Sequence, residues 1–213
     1  MVLLFNGFME KVRTILVTGF DPFGCESVNP AWEAVKRLPD YVGNCQIVKK
    51  MIPTVASKAT LETIAAMEES NAFCCVSIGQ AGGRSRISIE RVAVNKDEFK
   101  IPDNEGNVLT GCKVVDDGPD EYYSTLPIDK IHETLVEKDI PSEISNSAGL
   151  FVCNHLFYGV RHYVECTGKN ILSGFIHVPY LPEQAKKNGK DSFLPLDQIV
   201  EALEVALHAI SLL

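Results

Sequence analysis

Short apolar runs alternate with amphipathic stretches along this chain, and that alternation constrains its fold more than any other feature. Four runs have the length and composition of buried strands: 12–20, 45–53, 72–79 and 171–179. The segment ISIERVAVN predicts a further strand over residues 87–95. Apolar residues recur at helical spacing in the segments 30–38, 54–70, 129–139, 149–166 and 196–212. Strands separated by helices are typical of an α/β layered fold.

The pattern predicts one α/β domain over residues 1–213. A chain of this length buries enough surface to need neither disulfides nor a metal for its core. Residues 96–126 are polar and rich in turns, which predicts an excursion from the sheet rather than a domain with its own core. Residues 1–10 precede the first strand, and we expect them to form a mobile extension.

The charge balance and the cysteines narrow the functional class. With 20 Lys and Arg against 28 Asp and Glu, the chain lacks the basic excess of proteins that bind nucleic acid or anionic membranes. The chain has seven cysteines, an odd number, and no CxxC motif, whereas a secreted disulfide scaffold has regularly spaced, paired cysteines. We find no convincing signal peptide and no run of about 18 uncharged apolar residues. We therefore expect a reduced, soluble, cytoplasmic protein.

Cys153 is the first candidate for chemistry. The segment SNSAGLFVCNH places it in the first turns of a predicted helix, after small residues and Gly149. Free N–H groups at a helix start stabilise a thiolate, lower the pKa of the thiol and can hold an oxyanion. A structural role remains the better assumption for any single cysteine, and we assign it to the other six, including Cys166 at the far end of the same helix.

His177 is the candidate base. It ends the apolar strand that Pro179 closes, so its imidazole is predicted at the rim of the sheet, where ligands of open α/β sheets bind. A lone histidine in this place is more often structural, but a Cys/His couple is an established way to activate sulfur. His155 is the competitor, although residues i and i+2 of a helix do not face each other.

Glu90 is the candidate for a third member of this group. It lies within the predicted strand 87–95, where a glutamate usually faces water. The alternative is an inward carboxylate that orients an imidazole, as in a catalytic triad. The preceding turn GQAGGR is similar to an anion cradle, but it has neither the GK[ST] ending nor the GxGxxG spacing of phosphate-binding loops.

Four motifs follow one another along the chain: VTGFDPFG at 17–24, the Gly-rich turn and strand at 79–95, SNSAGLFVCN at 145–154 and FIHVP at 175–179. Together they resemble the motifs of the pyroglutamyl peptidase I family of cysteine peptidases, the pyrrolidone-carboxylate peptidases. The resemblance extends over nearly the whole chain, and the glutamate and cysteine motifs of the family are matched throughout. We therefore expect a three-layer α/β/α sandwich around a central mixed, mostly parallel, twisted sheet, similar to phosphorylase/hydrolase-like folds.

The resemblance also implies the activity and its residues. The reaction would be removal of N-terminal pyroglutamate (5-oxoproline) from peptides, without a metal or other cofactor. Cys153 would be the nucleophile, His177 the general base and acid, and Glu90 the group that orients His177. Three further side chains would line the pocket for the 5-oxoproline ring: Phe20, Phe23 and Gln80.

That pocket agrees with the chemistry of a neutral lactam, which needs flat apolar walls and a few hydrogen bonds rather than a charged partner. Without the resemblance, core packing would be the preferred interpretation of Phe20 and Phe23. One departure concerns Lys100, which stands where family members commonly have arginine. Lysine does not reproduce the bidentate fork of a guanidinium, so we do not expect Lys100 to take over a bidentate role of that arginine.

Two other functions stay open on the sequence. One is a nucleoside-phosphorylase-like enzyme, which would need phosphate and would not be sensitive to thiol reagents. The other is a catalytically silent module that binds a small ligand without turnover. The predicted partners are peptides with N-terminal pyroglutamate, and neither nucleic acid nor a membrane. Assembly into a homo-oligomer is left open because no interface can be recognised in the sequence.

Overall fold

The structure, a computed structural model, describes residues 12–213. Its strands are β1 (Arg13–Phe20), β2 (Tyr41–Val42), β3 (Cys45–Ile52), β4 (Cys74–Gln80), β5 (Ile87–Glu90), β6 (Val92–Val94), β7 (Asp97–Glu98), β8 (Thr110–Cys112), β9 (Glu121–Tyr123), β10 (Ser142–Ser145) and β11 (Leu172–Val178). Its helices are α1 (Pro30–Val35), α2 (Ala56–Glu69), α3 (Ile128–Glu137), α4 (Val152–Thr167), α5 (Pro182–Lys187) and α6 (Leu196–Ser211). The mobile extension predicted for residues 1–10 lies outside the described residues.

Seven strands form the central sheet, in the order β10-β5-β11-β4-β1-β3-β2. The pairs β3–β1, β1–β4, β4–β11 and β5–β10 are parallel. The pairs β11–β5 and β2–β3 are antiparallel. The predicted mixed, mostly parallel sheet is thus confirmed. Its central strands are buried on both faces, which explains why β1 and β4 are nearly continuous apolar runs in the sequence.

Helices cover both faces of this sheet and produce the expected three layers. Apolar side chains of α1, α3 and α6 pack on one face, together with Val76 and Ile78 of β4. Those of α2 and α4 pack on the other face, together with Cys75 of the same strand and Phe175 of β11. None of the helices in residues 12–213 is long and apolar enough to cross a membrane.

A local signal in the sequence accounts for the start of α1, whereas the start of α4 differs from the prediction. The Asn29 side chain accepts a hydrogen bond from the Ala31 backbone N–H at 3.0 Å, and Pro30 is the first residue of α1. The helix predicted over 149–166 begins later, at Val152, because Gly149 has a φ of +77°, outside the right-handed helical region. Cys153 is therefore the second residue of α4.

The prediction of one strand over residues 87–95 is wrong. The chain leaves the central sheet after Glu90, and β6 pairs with β9 in a separate two-stranded sheet. The predicted excursion also contains the β7–β8 hairpin. Asn154 of α4 holds β6 in its place, because its amide hydrogen-bonds the N–H and C=O of Val94 at 2.9 and 2.8 Å. Alternation of apolar residues alone did not indicate this change of partner strand.

Candidate active site

The register of β5 and β11 brings Glu90 and His177 together on one face of the sheet. Ile87 and Ile89 alternate with Glu90 along β5 and pack into the core on the opposite face. In the antiparallel pair of β5 and β11, Phe175 lies opposite Glu90. His177 is two residues further along β11, so it is the diagonal neighbour of Glu90 on the same face of the sheet. That face is the one that α4 covers.

A short hydrogen bond joins the two side chains. His177 Nδ1 lies 2.7 Å from Glu90 Oε1, and the side chains are only 4% and 0% exposed. Because an ionised carboxylate can only accept, Nδ1 donates, and in the neutral form of the imidazole Nε2 then carries the free lone pair. Burial opposes ionisation of Glu90, but hydrogen bonding and charge from His177, with the charge of Arg84, outweigh it. The pKa of Glu90 is therefore lower than its ordinary value.

The sulfur of Cys153 lies against the neighbouring strand. A methyl group on Gly79 of β4 would stand 2.9 Å from Sγ and 2.7 Å from Phe175 Cζ, so only glycine leaves room for both. Gly79 is paired with His177 in the β4–β11 register, and adjacent strands are about 4.8 Å apart. The thiol is thus next to the imidazole, although no hydrogen bond joins them in the described part of the chain.

The surroundings of Cys153 raise the pKa of its thiol. Burial is the largest cause, the charge of Glu90 adds to it, and together they raise the pKa to about 12, although the charge of Arg84 acts in the opposite direction. This is opposite to the lowering predicted from the start of α4. The resting state is therefore a neutral thiol, and its proton must leave as the sulfur reacts.

This pKa predicts how Cys153 responds to alkylation. Because only the thiolate reacts with iodoacetamide, we expect the alkylation rate of Cys153 to rise about tenfold per pH unit between about pH 6 and 9. Quantitative mass spectrometry of quenched samples measures the rate, with the peptides of the exposed Cys25 and Cys112 as references in the same digest. A rate that is constant across neutral pH would indicate a preformed thiolate and contradict the prediction.

Arg84 belongs to this cluster and was missed by the sequence analysis. Its Nη1 lies 2.7 Å from Glu90 Oε1, and its Nη2 donates to the Ser147 carbonyl at 2.9 Å. The turn GQAGGR was considered only as an anion cradle, and the arginine within it was not connected to a carboxylate six residues later. The available signal was Glu90 itself: a carboxylate that faces the interior requires a charged or hydrogen-bonding partner, and Arg84 is a nearby candidate.

The predicted aromatic residues occupy different environments. Phe20 is 2% exposed, and its ring centroid is 6.4 Å from that of Phe175, in the core behind the cluster. Phe23 is partly exposed, and its ring centroid is 5.9 Å from that of Phe151. Phe151 stands two residues before Cys153 and was also missed. An aromatic side chain so near a candidate nucleophile was the available signal.

Gln80 ends β4 one residue after Gly79. Its Oε1 accepts a hydrogen bond from Gln184 Nε2 at 3.1 Å, which fixes the amide orientation. The Gln80 side-chain N–H groups are therefore directed away from this contact. Such a side chain can offer a donor to a carbonyl oxygen.

His155, the competing histidine, serves another contact. Its Nδ1 lies 2.7 Å from Asp97 Oδ2, and the Asp97 side chain is 1% exposed. This pair connects α4 to β7 of the excursion and occupies the histidine away from Cys153. In residues 12–213, no group of three or more His, Cys, Asp or Glu side chains is arranged to hold a metal ion.

A mostly apolar cleft of about 460 Å³ opens beside Phe151. Its lining residues are Glu98, Lys100, Ile101, Gly149, Leu150 and Phe151. Lys100, which stands where family members commonly have arginine, is exposed at its edge. The cleft adjoins the loop that leads to Cys153, so its apolar surface is available to a bound molecule near the thiol.

Comparison with known proteins gives one consistent result. The family model described as pyroglutamyl peptidase matches residues 13–212. The pyrrolidone-carboxylate peptidase of Brevibacillus brevis is 48% identical over 198 residues, 92% of each chain. That of Fusobacterium nucleatum is 47% identical over 199 residues, 93% of each chain.

Solved structures agree with these sequence matches. The crystal structure of pyroglutamyl peptidase I from Bacillus amyloliquefaciens has a TM-score of 0.92 at 42% identity, covering 95% of this chain and 97% of that one. A mutant pyrrolidone carboxyl peptidase from Pyrococcus furiosus has a TM-score of 0.88 at 41% identity, covering 94% and 100%. The similarity therefore extends over the sheet, both helical layers and the candidate site.

Proposed function

This chain belongs to the pyroglutamyl peptidase family of cysteine peptidases, hydrolases that remove N-terminal pyroglutamate, and we propose that Cys153, His177 and Glu90 carry out the reaction in it. The observation that carries this proposal is the buried contact of 2.7 Å between His177 and Glu90, beside the sulfur of Cys153. Nucleophile, base and orienting carboxylate are then in the order that acyl transfer requires.

The first half of the reaction forms an acyl-enzyme. Nε2 of His177 takes the proton of the neutral Cys153 thiol as the sulfur attacks the pyroglutamyl carbonyl carbon. Glu90 keeps Nδ1 protonated and stabilises the imidazolium that forms. Backbone N–H groups at the start of α4 are suited to the oxyanion, because they have no partner within the helix. His177 then donates its proton to the leaving amine, and the C–N bond breaks.

The second half releases 5-oxoproline. His177 accepts a proton from water as the water oxygen attacks the thioester carbon, and the thiol regains a proton when the C–S bond breaks. The same imidazole thus serves as base in both attacks and as acid in both departures. Apart from the attacking water, each of these steps uses side chains and backbone groups of this chain.

The lactam ring is proposed to lie between aromatic walls near Cys153. Phe23 and Phe151 form a partly exposed aromatic pair beside the nucleophile, and Phe20 supports it from the core. Gln80 supplies an amide donor at the end of β4. Flat apolar walls with one donor suit a neutral lactam, which has a carbonyl and an N–H but no charge.

This pocket predicts selection against proline. We expect release of the dye from a pyroglutamyl amide but not from the matching prolyl amide, with kcat/KM values at least about 100-fold apart. The prolyl compound lacks the lactam carbonyl and carries a charged amine, which an apolar pocket does not solvate. Fluorescence of the released dye measures both rates. Equal cleavage of the two amides would contradict the assignment of the pocket.

The two competing functions differ from the proposed one in their need for phosphate and in turnover. A nucleoside-phosphorylase-like enzyme would require phosphate, whereas the proposed peptidase does not, and family membership excludes that alternative. A silent binding module would bind the pyroglutamyl amide without turnover. We also propose a cytoplasmic location, because all seven cysteines are free thiols.

A further inference from the structure

One guanidinium connects the carboxylate of the proposed triad with the loop that leads to the nucleophile. Arg84 reaches Glu90 Oε1 with Nη1 and the Ser147 carbonyl with Nη2, at 2.7 and 2.9 Å. The planar fork of arginine can hold both acceptors at once, whereas a lysine ammonium is a single point charge. Arg84 is 27% exposed, and its carboxylate partner is fully buried.

The charge of Arg84 compensates the buried carboxylate of Glu90: within residues 12–213, Arg84 and His177 are the groups at ion-pair distance from it. Glu90 is ionised in the interior, and while the imidazole of His177 is neutral the guanidinium is the cation that compensates it. The same two charges act on Cys153 in opposite directions. Glu90 raises the pKa of the thiol and Arg84 lowers it. Arg84 thus offsets the cost that the orienting carboxylate imposes on a developing thiolate.

The second contact of Arg84 acts on the backbone before α4. Ser147 lies between β10 and Gly149, whose N–H donates to Ser147 Oγ at 3.3 Å. Gly149 has a positive φ and turns the chain toward Cys153. The carbonyl of Ser147 is therefore a fixed point of the loop, and Arg84 sets its position relative to Glu90.

We propose that Arg84 is a positioning residue that aligns the proposed triad carboxylate with the nucleophile loop and compensates the buried charge of Glu90 as the Cys153 thiolate forms. The side-chain contacts of Arg84 are with Glu90 and with the Ser147 carbonyl, so its proposed role is indirect. It acts through Glu90 and through the backbone at Ser147. The proposal rests on the proposed function of the same site.

Arg84→Gln tests the proposal, with Arg86→Gln as the matched control. Arg86 is two residues away and 51% exposed, and its 3.9 Å contact is with Glu143 rather than Glu90. We expect Arg84→Gln to reduce kcat on the pyroglutamyl reporter about 100-fold, with KM changed less than about threefold. We also expect alkylation of Cys153 at about pH 8 to become about tenfold slower, which corresponds to one pKa unit. Arg84→Lys keeps the charge but not the fork, so it should restore the alkylation rate more than kcat.

Circular dichroism and thermal unfolding separate this role from a merely structural one. A loss of kcat that follows a loss of folded protein, with the alkylation rate of Cys153 unchanged, would overturn the proposal. Equal behaviour of Arg84→Gln and Arg86→Gln would overturn it as well. If the unmodified protein did not cleave the reporter, the proposed function would fail, but alkylation of Cys153 would still report on Arg84 because it needs no turnover.

Discussion

Replacing Cys153 with alanine is expected to abolish release of the dye from a pyroglutamyl amide, a loss of about 10⁴-fold or more in kcat. The reason is that, in the part of the chain that the structure describes, Cys153 is the thiol that lies beside the contact between His177 and Glu90. Cys153→Ser should be similarly inactive, because a hydroxyl is a much weaker acid than even a thiol with its pKa raised to about 12. The reporter assay measures both variants.

Cys166→Ser is the matched control for this prediction. Cys166 is on the same helix, exposed, and its sulfur is 3.4 Å from His162 Nε2, so it too has a histidine neighbour. It lies at the other end of α4, far along the chain from Glu90, and we expect its replacement to leave turnover unchanged. Substantial activity in Cys153→Ala would require another nucleophile, and the proposed mechanism would then be wrong.

The layered fold was predictable because its signals are local. Continuous apolar runs indicate strands buried on both faces, and helical spacing indicates the elements that cover them. Asn29 and Pro30 identify the start of α1 from adjacent residues alone. The start of α4 was placed three residues early, since helical periodicity does not register the positive φ of Gly149.

The strand over 87–95 failed for a different physical reason. Pairing is decided between segments that are distant in the sequence: β6 pairs with β9, and Val94 of β6 is also bound by Asn154 of α4. A period of two predicts which residues share a face, but it does not predict which strand lies alongside. The same limit explains why the β7–β8 pairing within the excursion was not predicted.

Some residues of the candidate site were predictable from the sequence and others were not. Cys153, His177 and Glu90 were predicted from their motifs, and the register of β5 and β11 now supplies a reason for the contact between two of them. Arg84 and Phe151 were not predicted. Their importance comes from long-range partners, Glu90 for the guanidinium and Phe23 for the ring, which motifs alone do not specify. The lowered thiol pKa was also mispredicted, because burial is a property of the folded site.

Replacing His177 with alanine is expected to reduce kcat/KM at neutral pH by about 10³-fold or more, since the neutral thiol of Cys153 then has no base to take its proton. The few molecules with a thiolate would carry the remaining activity. Because the pKa of the thiol is raised to about 12, that activity should increase about tenfold per pH unit over the range from about pH 6 to 9. The pH profile of the reporter assay measures this, with unmodified protein for comparison.

His208→Gln is the control for this replacement, because His208 is exposed on α6 and distant in the fold from the cluster. It should leave both the rate and the pH profile unchanged. Thermal unfolding of His177→Ala must be measured beside the rates. Loss of the imidazole leaves the buried Glu90 carboxylate with Arg84 as its charged partner, which can lower the stability of the fold. A folded His177→Ala protein whose residual activity did not increase with pH would show that the thiol loses its proton by another route. A base other than His177 would then deprotonate Cys153, and the proposed role of His177 as the base would be wrong.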